Sequence, residues 1–211
     1  PKTVRPFEAT EIVTLTDYRR RYALYRTDPD LQALHATAPF AVVWDDHEVD
    51  NNWAGATPED GMPREQFLAR RAAAFQAFHE VMPLRRAQRP VGHDARLYRQ
   101  LAWGSLANLY MLDTRQYRDD QACGDGTKAD CAARLDAART MLGTDQEAWL
   151  RERARASGAR WDVLGQQVFF GDLARPLPDG RDGAPLDSWN GYVAARDRVL
   201  DMFSDRRRNF I

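Results

Sequence analysis

Two hydrophobic periods alternate along the chain. Between residues 16 and 36, "TDYRRRYALYRTDPDLQALHA" sets Tyr18, Tyr22 and Tyr25 at helical spacing. Thr16 or Asp17 offers an N-cap, and Pro29 opens a second helical stretch after Asp28, so the pattern predicts two short helices. "PFAVVW" at 39–44 is a continuous apolar run rich in β-branched residues, as expected of a strand buried on both faces. After a loop carrying Pro58, Gly61 and Pro63, "REQFLARRAAAFQAFHEVM" lines Phe67, Leu68, Ala72, Phe75, Phe78 and Met82 along one helical face. "RLYRQLAWGSLANLYMLDTRQYR" then reads as two strands, 96–103 and 105–112, with a turn at Gly104 and Ser105 and Asp113 at the end of the second.

The same reading continues to the end. Thr144 and Glu147 have capping-box spacing at the head of "TDQEAWLRERARAS", which Gly158 can close. "WDVLGQQVFF" at 161–170 reads as another buried strand, a Pro- and Gly-rich loop covers 175–191, and "YVAARDRVLDMFSDRR" forms a last helix. Strands alternating with helices predict an α/β layered fold. A chain of 211 residues supports one sizeable core, so residues 1–211 are expected to form a single domain or part of one.

Charge narrows the partners. With 30 basic and 31 acidic residues the net charge is −1, which gives no global field for nucleic acid or an anionic membrane. The "DRRRN" run at 205–209 reads as basic residues at a helix C-terminus. No apolar stretch approaches the roughly 20 residues that span a bilayer, and no signal peptide heads the chain. The sequence opens without methionine and ends where an apolar run starts, so both ends read as cut. Cys123 and Cys131 lie eight apart in the turn-prone "CGDGTKADC". They form either a disulfide, implying an exported protein, or two free thiols in a cytosolic loop; the spacing matches neither a zinc finger nor a Cys-x-x-Cys pair.

Chemistry concentrates in "VVWDDHEVDNNW" at 42–53. Ligands gather at the carboxyl ends of strands in layered α/β folds. Asp45, Asp46, His47 and Glu48 follow such an end, and the amides of Asn51 and Asn52 add neutral oxygen donors suited to a hard cation. The alternative is a polar loop in which an aspartate caps the next helix and His47 bonds a backbone carbonyl. His35, His79 and His93 belong to no cluster and receive no role.

The segment "EIVTLTDYRRRYALYRTDPDLQALHATAPFAVVWDDHEVDNNW", followed in order by "LYMLDTRQYRDDQAC", "LGTDQEAWL", "WDVLGQQVFF" and "SWNGYVAARDRVLDMF", resembles the PhoD-like alkaline phosphatases, a branch of the calcineurin-type metallophosphoesterases. The resemblance covers nearly the whole chain. It implies a layered metallophosphoesterase-type β-sandwich flanked by helices, here cut at both ends, and metal-dependent hydrolysis of a small-molecule or lipid phosphate ester. A site of two or more metals, calcium and iron, with other divalent metals as alternatives, and an exported location are also implied. Carried onto matching residues, it makes Asp46 a metal ligand, Asp45 and Asn52 further ligands or supports, and His47 the acid or phosphate contact, with Glu48 supporting. Arg115, in the Asp113-Thr114-Arg115 stretch, either clamps phosphate oxygens or pairs with Asp113. Gln166 and Gln167 support a neighbouring loop, and Trp189, Asn190 and Tyr192 are expected to pack.

The family also has an upstream Gly-Asp-x-x-Tyr segment, with a cysteine ligand in many members, and a downstream Gly-Asp-x-His segment. Neither occurs within these 211 residues, so this piece alone is expected to bind metal weakly and turn over little. Rival expectations are a phosphodiesterase or phospholipase D-like enzyme on the same scaffold, and a non-catalytic binding or folding module.

Overall fold

A computed structural model of the protein describes residues 10–204 and 209–211. The chain divides into two units, residues 1–42 with 62–96, and residues 43–61 with 97–211.

The first unit is helical. Helix α1, Leu15–Arg26, starts earlier than expected: the N-cap is Thr14 rather than Thr16 or Asp17, its hydroxyl accepting from the Asp17 amide while the Asp17 carboxylate reaches back to the Thr14 amide. This reciprocal cap satisfies two amides that would otherwise lack partners. Helix α2, Pro29–Thr37, starts at Pro29 as the sequence predicts and is capped by the Asp28 carboxylate. Helix α3, Arg64–Val81, buries Phe67, Phe75 and Phe78, but its inner stripe also holds Arg70, Arg71, Ala74 and Ala77, whereas Leu68, Ala72 and Met82 are only half-buried. The arginines are tolerated because each is paired. Arg70 donates to the Tyr18 hydroxyl at 2.9 Å and meets Glu11; Arg71 donates to the His93 carbonyl at 2.9 Å and to Asp94 at 3.1 Å. His35 stacks on Phe40 with centroids 4.1 Å apart.

In the second unit, strands β1, Arg99–Trp103, and β2, Ala107–Met111, form the expected hairpin. Gly104 turns it with a φ of 54°, a left-handed conformation that costs glycine little. Strand β3, Thr127–Lys128, follows, then helix α4, Gly143–Ala156, and strand β4, Trp161–Gly165. Strands β5, Arg175–Pro176, and β6, Asp182–Pro185, precede helix α5, Val193–Met202, and strand β7, Asn209–Phe210. One sheet has the order β1-β2-β4-β7 and the other β3-β6-β5. β2–β4 and β4–β7 pair parallel across the α4 and α5 crossovers, as β-α-β units require. The core between the first sheet and these helices holds Tyr110, Leu112, Leu150, Trp189, Tyr192 and Val199. The architecture is mixed α/β.

Several expectations change. Residues 39–44 form no strand; Trp44 is buried, but Val42 and Val43 are half-buried and Ala41 is exposed. The run crosses from one unit to the other between Val42 and Val43, and apolar composition measures burial rather than ladder pairing. Thr144 and Glu147 make no capping box, because α4 already begins at Gly143. The Thr140 hydroxyl accepts from the Leu142 and Gly143 amides instead, and Glu147 pairs with Arg151 and Arg198. The strand expected over 161–170 stops at Gly165, where Gln166 and Gln167 leave the ladder, and the loop expected at 175–191 contains β5 and β6. The "DRRRN" run lies, through 205–208, outside the described residues.

Candidate active-site loop

Residues 45–52 curl into one tight turn. The amides of Val49 and Asp50 donate to the Asp46 carbonyl at 2.8 and 2.9 Å, and the Glu48 carboxylate accepts from the Asp45 amide at 2.8 Å. The Asp46 side chain, 9% exposed, turns inward and accepts from the Asn52 backbone amide at 3.1 Å. Asn52 has a φ of 48°, in the left-handed region that asparagine enters more readily than most residues. His47 points outward with 79% of its side chain exposed, its Nε2 3.7 Å from Asp46 Oδ2. Burial pushes the carboxyls of Asp45 and Glu48 upward, opposed at Asp45 by Arg115 and at Glu48 by the Asp45 amide.

A second loop, 113–118, braces the first. Asp113 is fully buried and accepts from the Trp44 indole at 3.0 Å, from the amides of Arg115 and Gln116 at 3.0 and 2.9 Å, and from the Gln116 side chain at 3.2 Å. Those donors compensate a carboxyl whose pKa burial raises. Gln146 bonds the Asp113 amide and carbonyl. Gln167 accepts from the Thr114 amide and hydroxyl and donates to the Leu112 carbonyl. Gln166 accepts from the Trp189 indole at 3.0 Å. Gly55 closes the contact: its amide donates to the Arg115 carbonyl at 2.9 Å, and a Cβ there would stand 3.3 Å from the Arg118 carbonyl.

Arg115 joins the two loops. Its guanidinium is 1% exposed and donates to Asp45 Oδ1 at 2.6 Å and to both oxygens of Asp187 at 2.7 and 2.9 Å; Asp46 Oδ1 lies 3.8 Å away. Asp113 therefore holds the backbone of Arg115, and Asp45 and Asp187 hold its charge. Arg118, also buried, donates to Asp187 at 2.7 Å and to the carbonyls of Asn52 and Trp53 at 2.8 and 2.9 Å. Burial pushes the Asp187 carboxyl up, but the two guanidiniums outweigh it and hold the pKa at about 2. Asp187, Arg118 and Asp125 were not singled out from the sequence; "PLDSWNG" and "CGDGTKADC" carry them in loops with no ligand-like spacing.

Asp45, Asp46, Asn52, Arg115, Asp125 and Asp187 line one cavity of about 370 Å³. Among the described residues, no three His, Cys, Asp or Glu side chains converge as a metal-holding group. The donors of the 45–52 loop nonetheless fit a hard cation chemically: two carboxylates and an amide oxygen, with one buried Asp125 oxygen lacking a hydrogen-bond partner among the described residues. Trp189, Asn190 and Tyr192 are buried, as packing residues. Cys123 and Cys131 form a disulfide.

The model of the family described as PhoD-like phosphatase matches residues 2–211. The chain belongs to the PhoD-like phosphatase family. It is 47% identical to alkaline phosphatase D of Bacillus subtilis (strain 168), the match covering 98% of this chain and 35% of that protein. It also resembles the solved structure titled "Structure of PhoD", with a TM-score of 0.90 and 47% identity over 96% of this chain and 39% of that one. The chain thus spans about a third of the length of the PhoD-like phosphatase it matches. No described helix is long and apolar enough to cross a membrane.

Proposed function

We propose that this chain supplies the acidic-loop portion of a metal-dependent phosphoester hydrolase. Both of its units belong, on this reading, to one catalytic domain. The observation that carries the reading is the 45–52 loop, with Asp46 buried and turned inward beside Asp45 and Asn52, in a chain 47% identical to an alkaline phosphatase. Asp46, with Asp45 and Asn52, would hold the metal, calcium and iron being the pair that the family resemblance implies. Metal bound there supplies a Lewis acid that acidifies the attacking water and offsets charge on the phosphoryl oxygens. His47, exposed beside Asp46, is placed to give a proton to the departing alkoxide oxygen or a hydrogen bond to a phosphoryl oxygen. Arg115 acts chiefly by holding Asp45, because three of its five N–H donors already go to Asp45 and Asp187. The substrate is a small-molecule or lipid phosphate ester, and the Cys123–Cys131 disulfide favours an exported protein.

The test is an assay of the full-length protein on a phosphate monoester and a diester, before and after chelation and with metal returned. Activity on either ester that chelation abolishes and metal restores is expected. Activity indifferent to chelation would overturn the reading. Diester cleavage alone would move it to a phosphodiesterase on the same scaffold.

A further inference from the structure

The geometry points to Asp125 as a positioning residue: we propose that it turns the Asn52 side chain so that Oδ1 faces the cavity as a neutral oxygen donor, and that the Cys123–Cys131 disulfide holds Asp125 in place to do so. The inference rests on the metal-site reading above. Asn52 is pinned at every backbone group. Its amide donates to Asp46 at 3.1 Å, and its carbonyl accepts from Arg118 at 2.8 Å and Gln121 at 2.6 Å. Only the side-chain amide retains a choice, because its two ends are nearly equal in shape but opposite in chemistry. An ionised carboxylate can only accept. The Asn52 amide nitrogen donates to Asp125 Oδ2, which fixes the nitrogen toward Asp125 and turns the oxygen away from it. Reversed, the same side chain would offer the cavity N–H groups, which cannot ligate a cation.

Asp125 itself is held by its loop. Cys123, Gly124 and Gly126 all have positive φ, of 58°, 70° and 94°, so the chain doubles back on both sides of Asp125. The disulfide closes this loop, the Gly126 carbonyl accepts from the Leu186 amide at 2.9 Å, and β3 pairs with β6. The ribbon that delivers Asp125 to Asn52 thus runs directly into Asp187, the partner of Arg115 and Arg118.

The test uses full-length protein stripped of metal, with calcium ion alone as probe, measuring affinity by titration calorimetry and melting temperature alongside. Asp125→Leu is expected to weaken calcium binding by about 10- to 100-fold, the range for residues that orient ligands, whereas Asp125→Asn, whose amide oxygen still accepts, stays within about 3-fold. In an Asn52→Ala background, Asp125→Leu is expected to cost no further affinity, because the group it orients is gone. The proposal is overturned if Asp125→Leu binds calcium as wild type does, if Asp125→Asn falls as far as Asp125→Leu, or if the two losses add. Should Asp125→Leu not fold, the paired Cys123→Ser, Cys131→Ser variant decides, since it frees the loop with both residues present; unchanged affinity there rejects the idea. Wild-type protein that binds no calcium sinks the metal-site reading as well, whereas binding that is indifferent to residue 125 sinks this inference alone.

Discussion

Arg115 carries a permanent charge at 1% exposure, and Asp187 takes two of its hydrogen bonds while also binding Arg118. Removing one partner of such a group leaves uncompensated buried charge. Asp187→Asn is therefore expected to destabilise the fold at neutral pH, and the pH dependence has a definite sign. The folded pKa of about 2 lies below the usual 3.8, so the stability this carboxylate contributes is complete above about pH 4 and lost as pH falls through about 2. Urea midpoints should show the gap between wild type and Asp187→Asn narrowing across that window by on the order of 2 kcal/mol; a gap constant with pH would discount the carboxylate's charge. His47 makes a contrasting case, since its exposed side chain supports no packing. On the proposed function, His47→Ala in the full-length protein should lower turnover about 10²- to 10⁴-fold with metal content nearly intact, and equal loss of both would make it a ligand. The 45–52 loop stood out in the sequence as a candidate because its acids, histidine and asparagines are contiguous. Asp187 and Arg118 did not, because their meaning depends on partners 66 to 72 positions away.

At the scale of elements, legibility followed whether the signal was local. The hairpin turn at Gly104 and the start of α2 at Pro29 are set by short-range chemistry, and both were readable. The run at 39–44 misled because ladder pairing depends on a neighbouring strand that periodicity does not reveal. Gln166 and Gln167 end β4 early because their side chains serve the Trp189 indole and the Thr114 loop. The disulfide is also local, closing a sequence separation of eight. On chain-entropy grounds so short a loop is worth about 2–3 kcal/mol. Paired serine substitution at Cys123 and Cys131 should lower the urea-extrapolated stability by about that amount, and no change would mean that the β3–β6 pairing alone holds the loop.

For the whole molecule the question is how much of the proposed metal site a chain spanning about a third of its relative's length holds. The 45–52 loop contributes two carboxylates and an amide from one turn, and a cation in a two-metal site draws ligands from several loops. The other ligand segments that the family resemblance implies do not occur within these 211 residues, which match 35% of alkaline phosphatase D. The ion pairs of Arg115 and Arg118 with Asp45 and Asp187 draw only on residues of the second unit, so folding of that unit and metal retention should separate. Expressed alone, the 211-residue chain should show a cooperative transition yet retain less than about a tenth of an equivalent of metal after desalting, because metal affinity scales with a closed ligand set. Its phosphatase activity should stay near background while the full-length protein retains both metal and turnover. Elemental analysis of the two proteins, purified side by side, checks this. Stoichiometric, tightly held metal in the shorter chain would mean that the acidic loop and its cavity form a coordination site unaided, and would shift the weight of the chemistry onto the residues described above.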